Sequence, residues 1–398
     1  MIGAGLSGSA VAHSLASRGW AVTVLDQAQG VGAGASGLPA GLAAPHVSPD
    51  DNVLSRITRA GVRSTLQRAD ALLRSGTDWA LTGVLEHNLA GKRRLPISDP
   101  GNSNSNSNCN CNSNSTSINT GADHPHDMST LASAAQIAAA GLPPETPALW
   151  HGQAGWIRPR QLVAAQLQTP GIEVLWGQTV HAIERRGALW TASNAQGQIL
   201  GEAPLLVVAS AFDSLALLNP LPAVTVPLKP LRGQISFGHM SALSDPQRQL
   251  LPPFPVNGHG SFISGVPAPD GQPGWFIGST FERDCTQAPV RAQDHAANQL
   301  RLATLLPALG AAMHTQFAPE HVQGWAGLRC TLPDRLPAVG PIDSLRLPGL
   351  WLCAGMGARG ISLAVLCGEL AAAWLDNEPL PLPPALVKHL SAERFVRT

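Results

Sequence analysis

The sequence predicts an α/β fold in two parts: a parallel α/β part built from separated segments, and a strand-rich α+β part with a mixed or antiparallel sheet. Three observations predict this fold. The chain begins with a glycine-rich turn between a strand and a helix, apolar strands alternate with helices near both ends, and residues 228–278 are rich in strands. Alternating strands and helices indicate a parallel sheet, whereas consecutive strands indicate an antiparallel one.

The first element is the glycine-rich turn. Gly3, Gly5 and Gly8 form a G-x-G-x-x-G pattern before an alanine-rich helical run. In dinucleotide-binding folds these glycines allow a tight turn, close approach of a pyrophosphate and packing of the helix on the sheet. Asp26 follows the β-rich segment 21–25, where an acid accepts ribose hydroxyls. We therefore expect a dinucleotide site, because a simple glycine-rich turn would leave Asp26 unexplained.

The strand that should precede this turn is short. Only Met1 and Ile2 come before Gly3, where a strand usually supplies about five residues. Either the start is placed too late or most of a central strand is lost. Because such a strand is buried on both faces, its loss would weaken folding and cofactor retention together.

Periodicity places the remaining elements. Helices are expected at 51–76, 294–306 and 361–375, and within 156–167, where Pro159 opens the helix. Strands are expected at 172–176, 179–185, 189–195, 205–209, 234–237, 260–264, 275–278 and 350–354.

The element order suggests a division into domains. The predicted nucleotide-binding domain comprises residues 1–60, 151–215 and 325–398, and the predicted substrate domain comprises residues 61–150 and 216–324. Residues 101–125 are mostly a polar Asn/Ser repeat with little to bury, which predicts a disordered insertion.

Composition excludes some function classes. Charged residues make up 13% of the chain and the formal net charge is zero, so no strong field indicates a nucleic acid or a membrane. The local basic runs at 92–94, 158–160 and 185–186 more often form solvated surface. The six cysteines form no C-x-x-C pair, which predicts neither a metal site nor disulfides. With no long apolar span and no signal peptide, we expect no membrane association and a cytoplasmic location.

A second glycine cluster follows a predicted apolar strand near the other end of the chain. Gly355, Gly357 and Gly360 also match G-x-G-x-x-G. A separate NAD(P) site is not expected, because no further strand with a terminal acid follows. The helix after Gly360 can instead direct its positive end at a second part of the same cofactor. A plain strand-to-helix turn remains the alternative.

Several segments together resemble the D-amino-acid-oxidase-like FAD oxidoreductases. These are the first turn with Asp26, GASGLPAG at 34–41, LVVASAFDS at 206–214, PLRGQ at 230–234 and GWAGLRCTLPDRLPAVGP at 324–341. Within that family the sequence is most similar to the FAD-dependent half of MnmC, the bifunctional tRNA 5-methylaminomethyl-2-thiouridine biosynthesis proteins. The narrower likeness includes HGQAGWIRP at 151–159 and the C-terminal segment from Gly355 onward.

The resemblance implies a Rossmann-like FAD-binding domain and particular site residues. It places Arg329 on the arginine that binds the substrate carboxylate, and Val180 where backbone groups meet adenine. The remaining cofactor residues that it implies are Gly3, Gly5, Gly8, Asp26, Ser36, Gly37, Gly41, Gly355, Gly357, Arg359 and Gly360. No metal is implied.

The resemblance also implies a reaction on tRNA. The FAD-dependent half removes the carboxymethyl arm of carboxymethylaminomethyl-uridine at the wobble position, by hydride transfer to flavin and hydrolysis of the imine. A methyltransferase half that uses S-adenosylmethionine is not found in this sequence, so a separate methyltransferase is a possible partner.

Two alternatives stay open. One is an oxidase or dehydrogenase of glycine, sarcosine or D-amino-acid type that acts on a free small amine. The other is a non-catalytic relative that binds flavin or RNA. A wide basic approach to the pocket would favour tRNA, and an enclosed pocket would favour a free amine. The residues show no persuasive Ser/His/Asp or Cys/His constellation, and His46, His151 and His259 are expected to be pocket linings or ordinary structural residues.

Overall fold

The computed structural model describes residues 1–91, 94–96, 127–221 and 224–395. The insertion predicted at 101–125 lies outside these residues. The helices are α1 (Leu6–Ala16), α2 (Val53–Leu72), α3 (Ala134–Ala139), α4 (Pro159–Leu167), α5 (Ser214–Leu218), α6 (Asp245–Gln249), α7 (Ala292–Leu305), α8 (Pro307–Ala312), α9 (Gly360–Leu375) and α10 (Pro384–Leu390).

The strands of the first half are β1 (Val22–Asp26), β2 (Gly41–Ala43), β3 (Trp79–Ala80), β4 (Val84–His87), β5 (Ser129–Leu131), β6 (Ala148–His151), β7 (Gly155–Ile157), β8 (Ile172–Trp176), β9 (Ala182–Arg186) and β10 (Leu189–Ser193). Those of the second half are β11 (Ile199–Ala203), β12 (Leu206–Val208), β13 (Lys229–His239), β14 (Val256–Gly258), β15 (Gly260–Pro267), β16 (Pro273–Gly278), β17 (Glu282–Arg283), β18 (Gln323–Thr331), β19 (Ala338–Pro341) and β20 (Leu350–Ala354).

A largely parallel sheet forms the first layer. Strand β1 pairs with β8 and strand β12 with β20, both in parallel, and β19 joins β20 antiparallel. Ile2 links the two halves through parallel bridges to Leu25 and Val208. Its N–H donates to Val207 O at 2.9 Å, and its carbonyl accepts from Ala209 N at 2.8 Å. The short first strand therefore still occupies the centre of the sheet.

Both faces of this sheet are covered, as expected for parallel strands. Helices α1, α2, α4 and α9 share one hydrophobic core with Trp351 and Cys353 of β20. The alternate residues Leu350 and Leu352 pack on the opposite side with Trp190 of the small β9–β10–β11 sheet. The alternation of side chains along β20 thus decides which residues meet which layer.

The second large sheet has the strand order β17-β13-β16-β15-β14-β4-β6-β5, and β18 pairs with β13. Its pairs are antiparallel except β14 with β4. Helices α7 and α8 contribute to the core beside it. Residues 325–331 lie in this sheet as part of β18, although the sequence analysis placed them with the nucleotide-binding segments. The domain boundaries themselves stay a prediction.

The predicted fold class is confirmed, as a mixture of helices and strands with mixed and antiparallel sheets. Strands β8 and β20 have the predicted bounds, and α4 begins at Pro159 as predicted. Before this helix, Trp156 and Ile157 form strand β7, which pairs with β2 and β3 and which the sequence did not indicate.

Helix α9 is also more apolar than the sequence analysis allowed. The helical segment Gly357–Leu375 is the one described stretch long and apolar enough, by length and composition, to cross a membrane. However, 61% of its most apolar window is buried inside the protein, where it packs against α1 and α2. Its apolar character is therefore explained by its place in the core.

Candidate active site

The first glycine turn is fixed by close packing of backbone atoms. Gly3 has φ +102°, and a Cβ there would lie 2.7 Å from Ala209 O. A Cβ on Gly8 would lie only 1.9 Å from Gly3 O. Both contacts are shorter than any side chain tolerates, so the spacing of this pattern follows from contact between turn, helix and sheet.

The N-terminus of α1 keeps its positive end available. Gly5 at the N-cap provides no side-chain hydrogen bond, and the first turn contains no acidic residue. Ser36 Oγ accepts a hydrogen bond from Leu6 N at 2.9 Å, which connects the Ser36 loop to this helix. Backbone N–H groups and the helix dipole at such an end attract phosphate.

Asp26 ends β1 and joins the same turn. Its carboxylate accepts hydrogen bonds from Ala4 N at 2.6 Å and Ala28 N at 2.8 Å. A carboxylate has about four lone-pair positions, so two remain for hydroxyl donors. The acid therefore stabilises the turn and also fits the ribose of a dinucleotide.

The loop before β2 is equally crowded. A Cβ on Gly37 would lie 2.1 Å from Gly32 O, and one on Gly41 would lie 2.4 Å from Ile361 Cδ1 at the start of α9. A Cβ on Gly360 would lie 3.5 Å from Leu6 Cδ1. Helices α1 and α9 thus begin near each other, which brings the two glycine clusters of the sequence together.

A cavity of about 960 Å³ lies between the large sheet and the turn before α9. Of the predicted site residues, it is lined by Gly41, Arg329, Gly355, Gly357 and Arg359. Gly355 and Gly357 take positive φ values of 81° and 58°, which suits the glycine at each position.

The other predicted residues do not line this cavity. Gly3, Gly5, Gly8, Asp26, Ser36 and Gly37 lie at the α1 turn and the adjoining loop, and Gly360 begins α9. Val180 follows β8, where it is partly buried against the second hydrophobic core. The predicted residues therefore form an α1 group and a cavity group, and Val180 lies two residues after Gln178, whose N–H donates to Asp26 O at 2.9 Å.

Arg329 carries the strongest electrostatic feature of the cavity. It lies on β18, and its guanidinium donates to Ser279 Oγ and rests 4.9 Å from the centre of the Phe281 ring. Its Nη1 is buried without a hydrogen-bond partner, and burial lowers its pKa to about 10. No carboxylate among the described residues forms a salt bridge with it. Arg329 is therefore a half-buried cation without a neutralising carboxylate at the wall of the cavity, and such a cation is suited to bind a carboxylate.

One hydrogen-bonded constellation was not evident from the sequence. His151 is fully buried, and its Nδ1 lies 2.8 Å from Ser129 Oγ while its Nε2 lies 3.0 Å from Glu86 Oε2. The expectation that His151 is a pocket lining or an ordinary structural residue agrees with this buried network, in which the acid is a glutamate. These residues come from β5, β6 and β4, so only strand pairing reveals the contact. Ser129 is 1% exposed, so the arrangement stabilises three strands rather than presenting a nucleophile.

The other two histidines considered from sequence differ. His46 lines the cavity. His259 lies 3.1 Å from Arg301 Nη1, and burial together with that arginine lowers its pKa. Within the described ranges no group of three or more His, Cys, Asp or Glu residues is arranged to hold a metal ion.

Comparison with known protein families assigns the chain to a family. The FAD dependent oxidoreductase family matches residues 1–374. The chain belongs to this family. It is an FAD-dependent oxidoreductase, as the sequence resemblance predicted.

Individual relatives within this family are similar to the chain over nearly its whole length. The chain is 46% identical over 386 residues to the tRNA 5-methylaminomethyl-2-thiouridine biosynthesis bifunctional protein MnmC of Polaromonas naphthalenivorans, covering 96% of this chain and 57% of that protein. It is 47% identical to the protein of the same name from Paracidovorax citrulli, over 99% of this chain and 60% of that one. The predicted likeness to MnmC is thus confirmed, and the chain spans about three fifths of the length of these relatives.

A solved structure supports the fold. Glycine oxidase from Geobacillus kaustophilus aligns with a TM-score of 0.68 at 18% identity, covering 100% of this chain and 98% of that one. Together with this family fold, the glycine-rich α1 terminus without an acidic first turn, the glycine contacts and the unneutralised Arg329 cation at the cavity wall fit FAD beside an anionic substrate.

Proposed function

We propose that this protein oxidises the carboxymethylaminomethyl group of a wobble uridine in tRNA and removes its carboxymethyl arm. The observation that carries the proposal is Arg329, which lines the cavity and has no salt-bridge partner among the described residues. The identity of 46–47% to proteins named MnmC supports tRNA as the substrate. A cytoplasmic location goes with this substrate.

Arg329 binds the carboxylate of the arm in this proposal. The carbon between that carboxylate and the amine nitrogen carries the transferable hydride, and a bidentate guanidinium fixes its position. When bound, FAD would supply the acceptor for this hydride, which carries the two electrons of the oxidation. Water then hydrolyses the imine, which releases glyoxylate and leaves an aminomethyl group on the uridine. No protein nucleophile is required.

The cofactor residues are assigned in the same proposal. Gly3, Gly5, Gly8 and the α1 terminus hold the pyrophosphate, Asp26 accepts ribose hydroxyls, and Val180 offers backbone groups to adenine. The residues assigned to the flavin are Ser36, Gly37, Gly41, Gly355, Gly357, Arg359 and Gly360. The positive end of α9 stabilises negative charge on the flavin.

A separate methyltransferase is part of the proposal only as a partner. The relatives are named bifunctional, and this chain spans about three fifths of their length. Methylation of the aminomethyl product is therefore assigned to another polypeptide or another segment.

The test is an anaerobic reaction of FAD-loaded protein with tRNA that carries carboxymethylaminomethyl-uridine. We expect loss of the oxidised-flavin absorbance and one glyoxylate per flavin reduced. Flavin that stays oxidised with this tRNA but bleaches with glycine or sarcosine would replace the proposal with the free-amine oxidase. Flavin that stays oxidised with all of them would favour the non-catalytic relative.

A further inference from the structure

We propose that the mouth of the cavity is a single-stranded RNA surface, in which three cations bind backbone phosphates and Phe281 stacks on a base of the anticodon loop. The cations are Lys229, Arg283 and Arg335, and with Phe281 they are called the rim. This inference rests on the proposed function, because it names the part of the protein that would receive the tRNA.

Strand register places part of the rim beside Arg329. Arg283 of β17 and Arg329 of β18 both pair with Leu231 of β13, and Lys229 pairs with Thr331 two residues further along. Directly paired residues point to the same face of a sheet, as do residues two apart on a strand. These side chains therefore lie on the cavity face, and all of them line the cavity.

Arg335 extends the rim beyond the end of β18. It closes a turn in which its N–H donates to Leu332 O at 3.0 Å, and it also lines the cavity. Its φ of 62° is in the left-handed region, which costs free energy for a residue other than glycine. The turn thus holds an arginine where glycine would be less strained.

The rim cations are exposed and have no salt-bridge partner among the described residues. By contrast, the neighbouring Arg291 pairs with Glu282 at 2.8 Å. Asp284 is the rim's exposed acid, so three positive charges face one negative charge. Exposed unpaired cations around an opening attract a polyanion.

Phe281 supplies the aromatic part of the surface. It is 54% exposed although it lines the cavity, and Arg329 contacts its ring. The exposed part of the ring is available for a base, and aromatic stacking is the usual way in which proteins bind unstacked bases. A base on Phe281 would lie next to the guanidinium that binds the carboxymethyl arm. RNA is therefore favoured over a free amine, which would use neither the ring nor the rim charges.

The test measures binding separately from catalysis. FAD-loaded full chain is titrated into a fluorescent, unmodified tRNA anticodon stem-loop, and the dissociation constant is followed by anisotropy as salt increases. Three phosphate contacts on a single strand predict a log–log slope of about −2, or a loss of roughly 20-fold between about 50 and about 200 mM salt. Lys229→Gln, Arg283→Gln and Arg335→Gly should each reduce the slope by about 0.7.

Matched control variants distinguish the loss of a rim charge from the loss of a positive charge elsewhere on the protein. Lys388→Gln and Arg185→Gln remove exposed cations elsewhere and should leave the slope unchanged. Arg335→Gly removes the charge where glycine relieves backbone strain, so weaker binding cannot be ascribed to poor folding. Phe281→Leu should weaken binding about fivefold or more and reverse the quenching of a 2-aminopurine placed at the wobble position.

Outcomes for the rim and for the proposed function are distinct. Binding whose salt slope is the same in rim variants and controls would overturn the rim, even if tRNA is oxidised. Rim-dependent binding without oxidation of modified tRNA would retain the RNA surface and remove the proposed reaction. Absence of stem-loop binding by the unaltered chain at low salt would overturn the rim directly.

Discussion

The α1 turn and the cavity around Arg329 bind charge in different ways. At the turn, backbone N–H groups at a helix end are the donors, and side chains are excluded because a Cβ on Gly8 would lie 1.9 Å from Gly3 O. In the cavity, a guanidinium is held on a strand with one nitrogen unpaired. The turn depends on three glycines within six consecutive positions, whereas the cavity depends on side chains from distant strands. We therefore expect substitutions at the turn to lower both stability and function. In the cavity, removal of Arg329 should lower activity but raise stability.

The largest effect is expected for Arg329→Met. Loss of the carboxylate partner should lower kcat/KM about 10²–10³-fold, equivalent to about 3–4 kcal/mol. The free energy of unfolding should rise by about 1 kcal/mol, because a desolvated cation is removed. Stopped-flow flavin reduction and urea unfolding measure the two quantities. Arg185→Met, at an exposed position, should change neither kcat/KM nor the free energy of unfolding. If both fall for Arg329→Met, the expected difference between the cavity and the turn is contradicted.

Gly8→Ala should reduce both the stability of the protein and its FAD content. The added methyl group must displace the Gly3 carbonyl, which costs about 3 kcal/mol of stability and moves the N–H groups that face the pyrophosphate. Urea unfolding and the FAD content after gel filtration check this. Gly30→Ala is the control, because a Cβ there meets nothing within 4 Å. Full FAD content with normal stability in Gly8→Ala would refute the packing argument.

His151→Leu should affect stability more than substrate binding, although its partner Glu86 also lines the cavity. It removes the hydrogen bonds at 2.8 and 3.0 Å to Ser129 and Glu86, at a cost of about 2 kcal/mol. Thermal and urea unfolding measure the loss. His321→Leu, at an exposed position, should be close to neutral. If His151→Leu abolishes flavin reduction while stability is retained, the constellation has a role in the reaction rather than in strand packing.

The smallest effect is expected from the pH dependence of His13 near the end of α1, because this side chain is only half-buried and solvent screens its charge. Burial, aided by the charge of Arg68, lowers its pKa to about 4. Between the usual pKa of about 6.5 and this value the unfolded chain binds the extra proton. Stability from this group is therefore present above pH 6.5 and is lost as pH falls towards 4. Urea unfolding should show a smaller loss between pH 7 and pH 4.5 for His13→Gln than for the unaltered chain, and equal losses would contradict this.

The sequence by itself determined the features that depend on local spacing. The G-x-G-x-x-G turn, Asp26 at the end of β1, strands β8 and β20 and the glycine cluster before α9 follow from residues close together in the chain, because turns and periodic burial are local properties. Arg329 was found only through its family resemblance, since an isolated arginine has no local signature.

Tertiary structure alone decided the remaining features. Strand pairing brought Ser129, His151 and Glu86 into contact and placed β18 in the large sheet beside β13. It also assembled the rim, whose three cations are far apart in sequence. The short basic runs in the sequence, such as 185–186, did not indicate this surface. Pairing between distant strands depends on the register and burial of whole sheets, and no short segment of the sequence contains that information.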